Sequence, residues 1–208
     1  MTLHELGVSI YDKKFEKLPQ RNVSLLAYLA SYKYFMHVED QLRLDLTFKS
    51  NILNTAQAWL EKHVPRKWKG HIFTRVVMHV RRTDFTQAKQ VGDGWHQPTS
   101  EYFQRSMAFF TDCLERVQFV VLSDDPPWCQ KHVNGSDVIY SSGNTPIIDM
   151  AIASLCDHAI ITVGSYGWWA AWFANGITIT QKDIPRTGTK LSQRMHREDY
   201  YKTDYVGL

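Results

Sequence analysis

The chain has 208 residues, of which 44% are hydrophobic and 22% are charged, with 10 Phe, 10 Tyr and 7 Trp. This composition is that of a globular domain with a large core, and it excludes a disordered chain, a collagen-like fibre and a coiled coil. The 24 Lys and Arg residues against 21 Asp and Glu leave a net charge of +3, too small to indicate a nucleic-acid-binding protein.

No apolar run in the sequence approaches the roughly 20 residues that a membrane-spanning helix needs. Met1 to Ile10 also lacks the basic-then-apolar pattern of a signal peptide. The sequence as it stands therefore predicts a soluble chain.

The cysteines and sequons give little information about the compartment. Cys113, Cys129 and Cys156 show no CxxC spacing, so they indicate neither a zinc cluster nor a dense disulfide framework, and their pairing stays open. The sequons at Asn22 and Asn134 would accept glycans if the protein were secretory.

The first third of the chain carries apolar residues at helical spacing. From Leu25 to about His63 they recur every three or four residues, which predicts two helices, the second ended by Pro65. A loop is predicted at 68–70. Residues 1–70 are therefore interpreted as a mainly helical segment.

From Phe73 onward, short β-branched and apolar runs alternate with helical patterns. Strands are predicted at 73–80, 117–122, 137–140, 159–163 and 177–180, and the helices between them at 100–116, 127–132, 145–156 and 165–174. Strands that are apolar throughout and alternate with helices indicate a parallel sheet covered on both faces. The predicted class is α/β, with a doubly wound, Rossmann-like domain at 71–182 and a C-terminal tail at 183–208.

The residues that follow each strand are the candidate functional residues, because ligands bind at the carboxyl ends of strands in such sheets. Arg81 and Arg82 follow the first strand within the run 79–84. A planar guanidinium fork binds phosphate oxygens at two points and keeps its charge, so this pair suits a diphosphate. The alternative is a surface ion pair between an arginine and Asp84.

Ser123, Asp124 and Asp125 follow the second strand. They could accept hydrogen bonds from ribose or sugar hydroxyls. The alternative is a helix cap, because Asp before Pro126-Pro127 is a common way to start a helix. Both hold if Asp125 caps the helix and Asp124 reaches the ligand.

Two further features could contact a nucleotide. The run 164–167 joins a strand to a helix, where free backbone N–H groups make an anion site, although such glycines also serve tight turns. Asp149 could accept two N–H bonds from a guanine edge, or it could be a solvated carboxylate. The nine histidines show no metal-binding spacing, so no metal site is predicted.

The order of these motifs resembles the α-1,2-fucosyltransferases, the galactoside 2-α-L-fucosyltransferases of glycosyltransferase family 11. Residues 79–84 resemble that family's HxRR(G/T)D box, and residues 119–125 with Trp128-Cys129 resemble its second box. Residues 149–173 resemble its third, and the helical segment at 28–64 is similar to the region before the first box. The likeness therefore covers most of the chain.

The resemblance also has one departure. Family members open with a membrane anchor and a Gly-Asn-Gln-Met-type box in an N-terminal Rossmann-like half, and neither is present here. We expect a GT-B-like family member with its donor half whole and its acceptor half largely missing, residues 1–70 being the remnant. The family's location is the Golgi lumen and membrane, reached through the anchor that this sequence lacks.

The resemblance implies a role for each candidate residue. Arg81 would hold the β-phosphate and stabilise the departing diphosphate with support from Arg82, while His79 and Asp149 would recognise guanine. The remaining implied donor contacts are Ser123 and Asp124 along the ribose and Ser165, Tyr166 and Gly167 at the phosphates.

The implied reaction transfers L-fucose from GDP-β-L-fucose to the 2-hydroxyl of a terminal galactose on a glycan, with inversion. Fixed arginine charges would stabilise the leaving phosphate without a metal or other cofactor. The expected catalytic residues are Arg81 and Asp84. The candidates for the base that deprotonates the acceptor hydroxyl are Asp84, Asp93, His96 and Glu101. The alternatives to such an enzyme are a non-catalytic GDP-binding donor half, or inactive remnant, and an unrelated nucleotide-binding α/β protein.

Overall fold

The computed structural model describes residues 2–208, which form two compact units. The first unit comprises residues 2–47, 88–96 and 183–203, and the second comprises 48–87, 97–182 and 204–208. Among the helices of residues 2–208, none combines the length and the hydrophobicity of a membrane-spanning segment.

The first unit is built from short elements. It contains two parallel strands, Thr2–His4 and Ser24–Leu26, and three short 3-10 helices, Lys13–Phe15, Tyr32–Tyr34 and Met36–Val38. Its α-helices are Glu39–Asp45, Ala88–Asp93 and Arg197–Tyr200.

The helix predicted from Leu25 begins only at Glu39, so that part of the prediction is wrong. Leu29 has a φ of 50°, a left-handed conformation that a right-handed helix cannot contain. Ser31 then accepts a hydrogen bond from the Lys33 amide and donates one of 2.6 Å to the Asp199 carbonyl. These local and long-range bonds replace the helical ones, and the apolar spacing alone could not reveal them.

A buried carboxylate holds the first unit together. The Asp199 side chain accepts the Tyr11 amide at 2.9 Å and forms an ion pair of 2.5 Å with Lys33. The hydrogen bond that Lys33 donates to Asp199 outweighs burial and raises the pKa of Lys33. Two segments far apart in the sequence are thereby joined through one side chain.

The second unit is a six-stranded, all-parallel sheet. Its strands are β1 (Thr74–Val80), β2 (Val117–Ser123), β3 (Val138–Tyr140), β4 (His158–Ile161), β5 (Thr178–Thr180) and β6 (Val206–Gly207). They lie in the order β3-β2-β1-β4-β5-β6, which is the strand order of a Rossmann fold. The predicted doubly wound α/β class is confirmed.

Five helices accompany the sheet, namely α1 (Ser50–His63), α2 (Ser100–Cys113), α3 (Pro126–His132), α4 (Pro146–Ser154) and α5 (Ser165–Ala174). The central strand β1 is fully buried at four positions, Val76, Val77, Met78 and Val80. Successive residues of a strand face opposite sides of the sheet, so burial of both Val76 and Val77 shows that helices cover both faces.

The predicted strands and helices of this unit agree with the structure to within three residues at each boundary. Helix α2 ends at Cys113 instead of 116 because Leu114 is already extended. The predicted loop at 68–70 is a hairpin, in which Lys67–Trp68 pairs with His71–Ile72. Lys69 and Gly70, with φ of 47° and 84°, form the two-residue turn that favours such hairpins.

Candidate functional site

A Rossmann strand order predicts a ligand-binding crevice at its topological switch point, which here is the carboxyl ends of β1 and β4. The connection runs outward in one direction from β1 to β2 and in the other from β4 to β5, so the helices that follow β1 and β4 lie on opposite faces. Residues that leave these two strands are Arg81 and Arg82 on one side and the run 164–167 on the other. The sequence prediction that these segments meet at one sheet edge agrees with the pairing of β1 with β4.

Arg81 is held at its backbone and at its side chain. Its amide donates to Thr162 Oγ1 at 2.9 Å, while its Nε and Nη1 pair with Asp84 Oδ1 at 2.9 Å and Asp124 Oδ2 at 3.1 Å. The hydrogen bond to Asp84 raises the pKa of Arg81, so its charge is permanent. The side chain remains 37% exposed and can therefore still meet an anion.

Arg82 is anchored more firmly than Arg81. Its Nε pairs with Asp125 Oδ2 at 3.2 Å, and its guanidinium carbon lies 3.9 Å from the centre of the Trp128 ring. Only 15% of the side chain is exposed. This cation–π contact and ion pair hold Arg82 beside the start of α3. Arg82 is therefore better suited to stabilising residues 81–84 than to binding a ligand directly.

The residues after β2 are bonded within the protein. Asp125 caps α3 by accepting the Trp128 amide at 3.2 Å, which is the predicted cap. Ser123 Oγ donates to the Val80 carbonyl at 2.8 Å and accepts the Asp125 amide at 3.0 Å. Asp124 turns toward the arginine segment, residues 81–83, and accepts the Arg82 amide at 2.9 Å.

His79 is buried under the first turn of α5. Its ring lies 5.1 Å from that of Tyr166, at an interplanar angle of 33°, and 5% of the residue is exposed. Burial lowers the pKa of His79 to about 4, so the imidazole is neutral at physiological pH. Its Nδ1 is buried and has no hydrogen-bond partner among residues 2–208.

This burial makes stability depend on pH. Below its ordinary pKa of 6.5, the unfolded histidine binds a proton that the folded one refuses until about pH 4. Stability is therefore lost as pH falls through that window, by at most about 1.4 kcal/mol per pH unit. We expect His79→Gln to reduce the fall in unfolding free energy between pH 6.5 and 4.5, measured by urea denaturation.

The matched control for this experiment is His71→Gln, which changes an exposed histidine of the hairpin. This variant should keep the wild-type pH dependence. Equal pH dependence in all three proteins would contradict the assignment of a neutral buried imidazole to His79.

The first turn of α5 presents backbone N–H groups. The first helical bond runs from the Trp168 amide to the Gly164 carbonyl at 3.3 Å, so the amides of Ser165, Tyr166 and Gly167 precede it. The N-cap residue is Gly164, which has a φ of 93° and no side chain that could cap this end. Amides left in this way at a helix N-terminus favour an anion.

Asp149 and Tyr166 both form hydrogen bonds within the second unit. Asp149 Oδ1 accepts a bond of 2.6 Å from Ser141 Oγ, which follows β3, and burial raises the pKa of the carboxyl. The Tyr166 hydroxyl donates to the Pro146 carbonyl at 2.5 Å, and burial raises its pKa as well. Asp149 is half-buried.

The four candidate bases lie in different places. Asp84 contacts Arg81, whereas Glu101 lies in the first turn of α2, where hydrogen bonding lowers its pKa. Asp93 and His96 belong to the first unit.

The remaining candidate residues are at the surface or in the core. Asn22 and Asn134 are exposed, as a glycan acceptor must be. All three cysteines are free, and burial raises the pKa of Cys129 to about 11 and that of Cys156 to about 12. Across residues 2–208, no group of three or more His, Cys, Asp or Glu side chains is placed to hold a metal ion.

The sequence analysis missed Thr83 and Thr162. The amide and the hydroxyl of Thr83 both donate hydrogen bonds to Asp124, and the Thr162 hydroxyl accepts one from the Arg81 amide. Thr162 follows β4 directly, but the strand predicted at 159–163 extends past it, so the strand-end rule that selected Arg81 did not select Thr162.

This crevice belongs to the Rossmann class of nucleotide-binding units, with a cation and a helix N-terminus at neighbouring strand ends. The model of glycosyl transferase family 11 matches residues 5–208, and the chain belongs to that family. The predicted family is thereby confirmed.

Curated relatives from mammals match nearly the whole chain. It is 26% identical over 204 residues to galactoside 2-alpha-L-fucosyltransferase SEC1 of Bos taurus and 28% identical over 208 residues to galactoside alpha-(1,2)-fucosyltransferase 1 of Sus scrofa. Each match covers 95% of this chain, but 54% and 55% of those proteins. The chain thus spans about half the length of the curated relatives it matches.

Solved structures show a related fold at low identity. The NodZ alpha-1,6-fucosyltransferase soaked with GDP-fucose matches with a TM-score of 0.53 and 16% identity, over 86% of this chain and 58% of that one. POFUT1 in complex with GDP matches with a TM-score of 0.51 and 10% identity, over 76% and 53%. The likeness is one of fold, and it confirms the expected GT-B-like class.

Proposed function

We propose that this chain carries the donor site of a fucosyltransferase that takes L-fucose from GDP-β-L-fucose. One observation carries the proposal: two groups that attract anions follow adjacent strands. The permanently charged, partly exposed Arg81 follows β1, and the N-terminus of α5 follows β4. Two sources of positive charge at one crevice suit a diphosphate. The family membership supports fucose as the transferred sugar.

We propose a role for each residue of this site, in line with the family resemblance. Arg81 would bind the β-phosphate with Arg82 as its support, and the amides of Ser165, Tyr166 and Gly167 would bind phosphate oxygens. His79 and Asp149 would contact guanine. We further propose residues 71–182 as the donor domain, 1–70 as part of the acceptor side and 183–208 as a tail.

The chemistry is inverting transfer to the 2-hydroxyl of a terminal galactose, the acceptor that the names of the curated relatives support. Negative charge grows on the β-phosphate as the bond to the anomeric carbon breaks. Arg81 stabilises that charge more than it stabilises the ground state, which lowers the barrier. A carboxylate such as Asp84 would take the proton of the acceptor hydroxyl.

A lumenal location is part of the proposal. The two sequons, at Asn22 and Asn134, are exposed and thus available for glycosylation. The location implied by the resemblance is the Golgi, where a galactose-terminated glycan would be the second partner.

The test is a calorimetric titration of the chain with GDP and with UDP. Guanine offers N–H donors that uracil lacks, and leaving a buried polar group unpaired costs about 1–3 kcal/mol. We therefore expect GDP to bind about 5- to 150-fold more tightly than UDP. Because arginine and backbone amides hold the diphosphate, EDTA should leave GDP binding unchanged.

Incubation with GDP-fucose and a terminal galactoside completes this test. An α-linked fucose on the galactose 2-hydroxyl, found by linkage analysis of the product, would support the full proposal. GDP binding without transfer would favour a non-catalytic donor-binding chain, and equal affinity for GDP and UDP would refute the guanine site.

A further inference from the structure

Asp124 lies beside the arginine segment because of the strand register. Val80, the last residue of β1, pairs with Ser123, the last residue of β2. The next residues along the two strands are Arg81 and Asp124, so these also leave the sheet side by side. The carboxylate is therefore positioned by the ladder itself.

Four donors converge on this one carboxylate, all from the segment 81–83. Oδ1 accepts the Arg82 amide at 2.9 Å, and Oδ2 accepts the Thr83 amide at 3.1 Å, the Thr83 hydroxyl and Arg81 Nη1 at 3.1 Å. Each carboxylate oxygen has two lone pairs, so the three donors on Oδ2 occupy that oxygen and Oδ1 keeps one acceptor site. Most of the acceptor capacity of Asp124 is therefore used by residues 81–83.

The segment is held from the other side as well. Thr162, which follows β4, accepts the Arg81 amide at 2.9 Å. Arg81 therefore leaves β1 between two fixed neighbours, one on each adjoining strand. Burial raises the pKa of Asp124, but the bonds from Thr83 and Arg82 and the charge of Arg81 outweigh it and leave the pKa lowered.

We propose that Asp124 is a positioning residue that holds residues 81–83 so that Arg81 faces the diphosphate, and that it is not a ligand of the ribose. This inference rests on the proposed function, because it assumes that Arg81 meets the diphosphate of GDP. It differs from the role that the family resemblance implies for Asp124.

Ligand analogues separate the two roles. The wild-type chain and Asp124→Asn are titrated with GDP, 2′-deoxy-GDP and 3′-deoxy-GDP. Asparagine cannot accept at its amide nitrogen, so we expect GDP affinity to fall about tenfold or more, as loss of a charge-assisted bond does. The ratio of GDP affinity to deoxy-GDP affinity should not change. A ribose ligand predicts instead that this ratio collapses in the variant.

A second variant and a matched control test the positioning role of Asp124 further. Thr83→Ala removes one of the four donors and should weaken GDP binding in the same way but less. Asp137→Asn changes an exposed carboxylate before β3, at the opposite end of the sheet, and should bind GDP as the wild type does. In an Arg81→Ala background, Asp124→Asn should lower affinity by less than about twofold, because coupled residues are not additive.

Amide hydrogen exchange without ligand tests the positioning itself. We expect Asp124→Asn to speed exchange at the Arg82 and Thr83 amides by about tenfold or more, with little change elsewhere in the sheet. Unchanged exchange there would overturn the inference even if GDP binds. Equal binding of GDP and UDP by the wild-type chain would instead refute the proposed function, while the exchange experiment would still decide the role of Asp124.

Discussion

Arg81→Lys is expected to lower GDP affinity by about one to two orders of magnitude while leaving the fold intact. Arg81 uses Nε for Asp84 and Nη1 for Asp124, and its remaining N–H groups stay available to a ligand. Lysine keeps the charge but places all its donors on one atom, so it cannot span two carboxylates and a phosphate together. Calorimetry with GDP and thermal unfolding would be measured on the same protein samples.

The control for this variant is Arg116→Lys. Arg116 pairs at 3.1 Å with Glu115, whose side chain is 84% exposed, at the amino end of β2 and far from the crevice. This substitution should leave both GDP affinity and melting temperature unchanged. A lower melting temperature with full GDP affinity in Arg81→Lys would show that Arg81 is a structural residue only.

Gly167→Ala should have the second large effect, a loss of roughly 2 kcal/mol in stability together with weaker GDP binding. A Cβ at this position would lie 2.5 Å from His79 Nδ1 and 3.3 Å from two carbon atoms of the same ring. His79 is buried and cannot swing away without moving Tyr166. The first turn of α5 would have to shift, and its amides would move with it.

The matched control is Gly92→Ala, since both glycines lie inside helices. A Cβ at Gly92 would meet nothing within 4 Å, so this variant should show only the helix preference of alanine, a gain of up to about 1 kcal/mol. Urea denaturation of the two variants isolates the contact with His79. If Gly167→Ala were as stable as Gly92→Ala, the close packing of His79 under α5 would be incorrect.

The sheet could be predicted from the sequence because its strands are mainly apolar and separated by clear helical patterns. Strands β1 and β2 are buried on both faces, which is typical of a parallel sheet covered by helices. The two-residue strand β6 has no detectable periodicity, and its place in the sheet depends on pairing with β5. Burial of a short segment of this kind is decided by tertiary contacts.

The candidate site residues were selected from their positions after strands, but their hydrogen-bond partners were not predicted. Strand position predicts that Arg81, Asp124 and Gly164 lie at one edge of the sheet. It does not predict that Asp124 bonds to the amides of residues 82 and 83, because that depends on the β1–β2 register and on how the chain turns after Val80. Strand position alone therefore suggests Asp124 as a ligand of the ribose, whereas its bonds to residues 81–83, on which the proposed positioning role rests, are visible only in the structure.

The central claim, a GDP site at the ends of β1 and β4, is tested most directly by hydrogen exchange of the wild-type chain with and without GDP. We expect protection at the amides of residues 81–84 and 164–167. The hairpin at 67–72, at the amino end of β1, should show no change. Protection elsewhere with none at these two strand ends, or no protection by GDP at any concentration, would contradict the account.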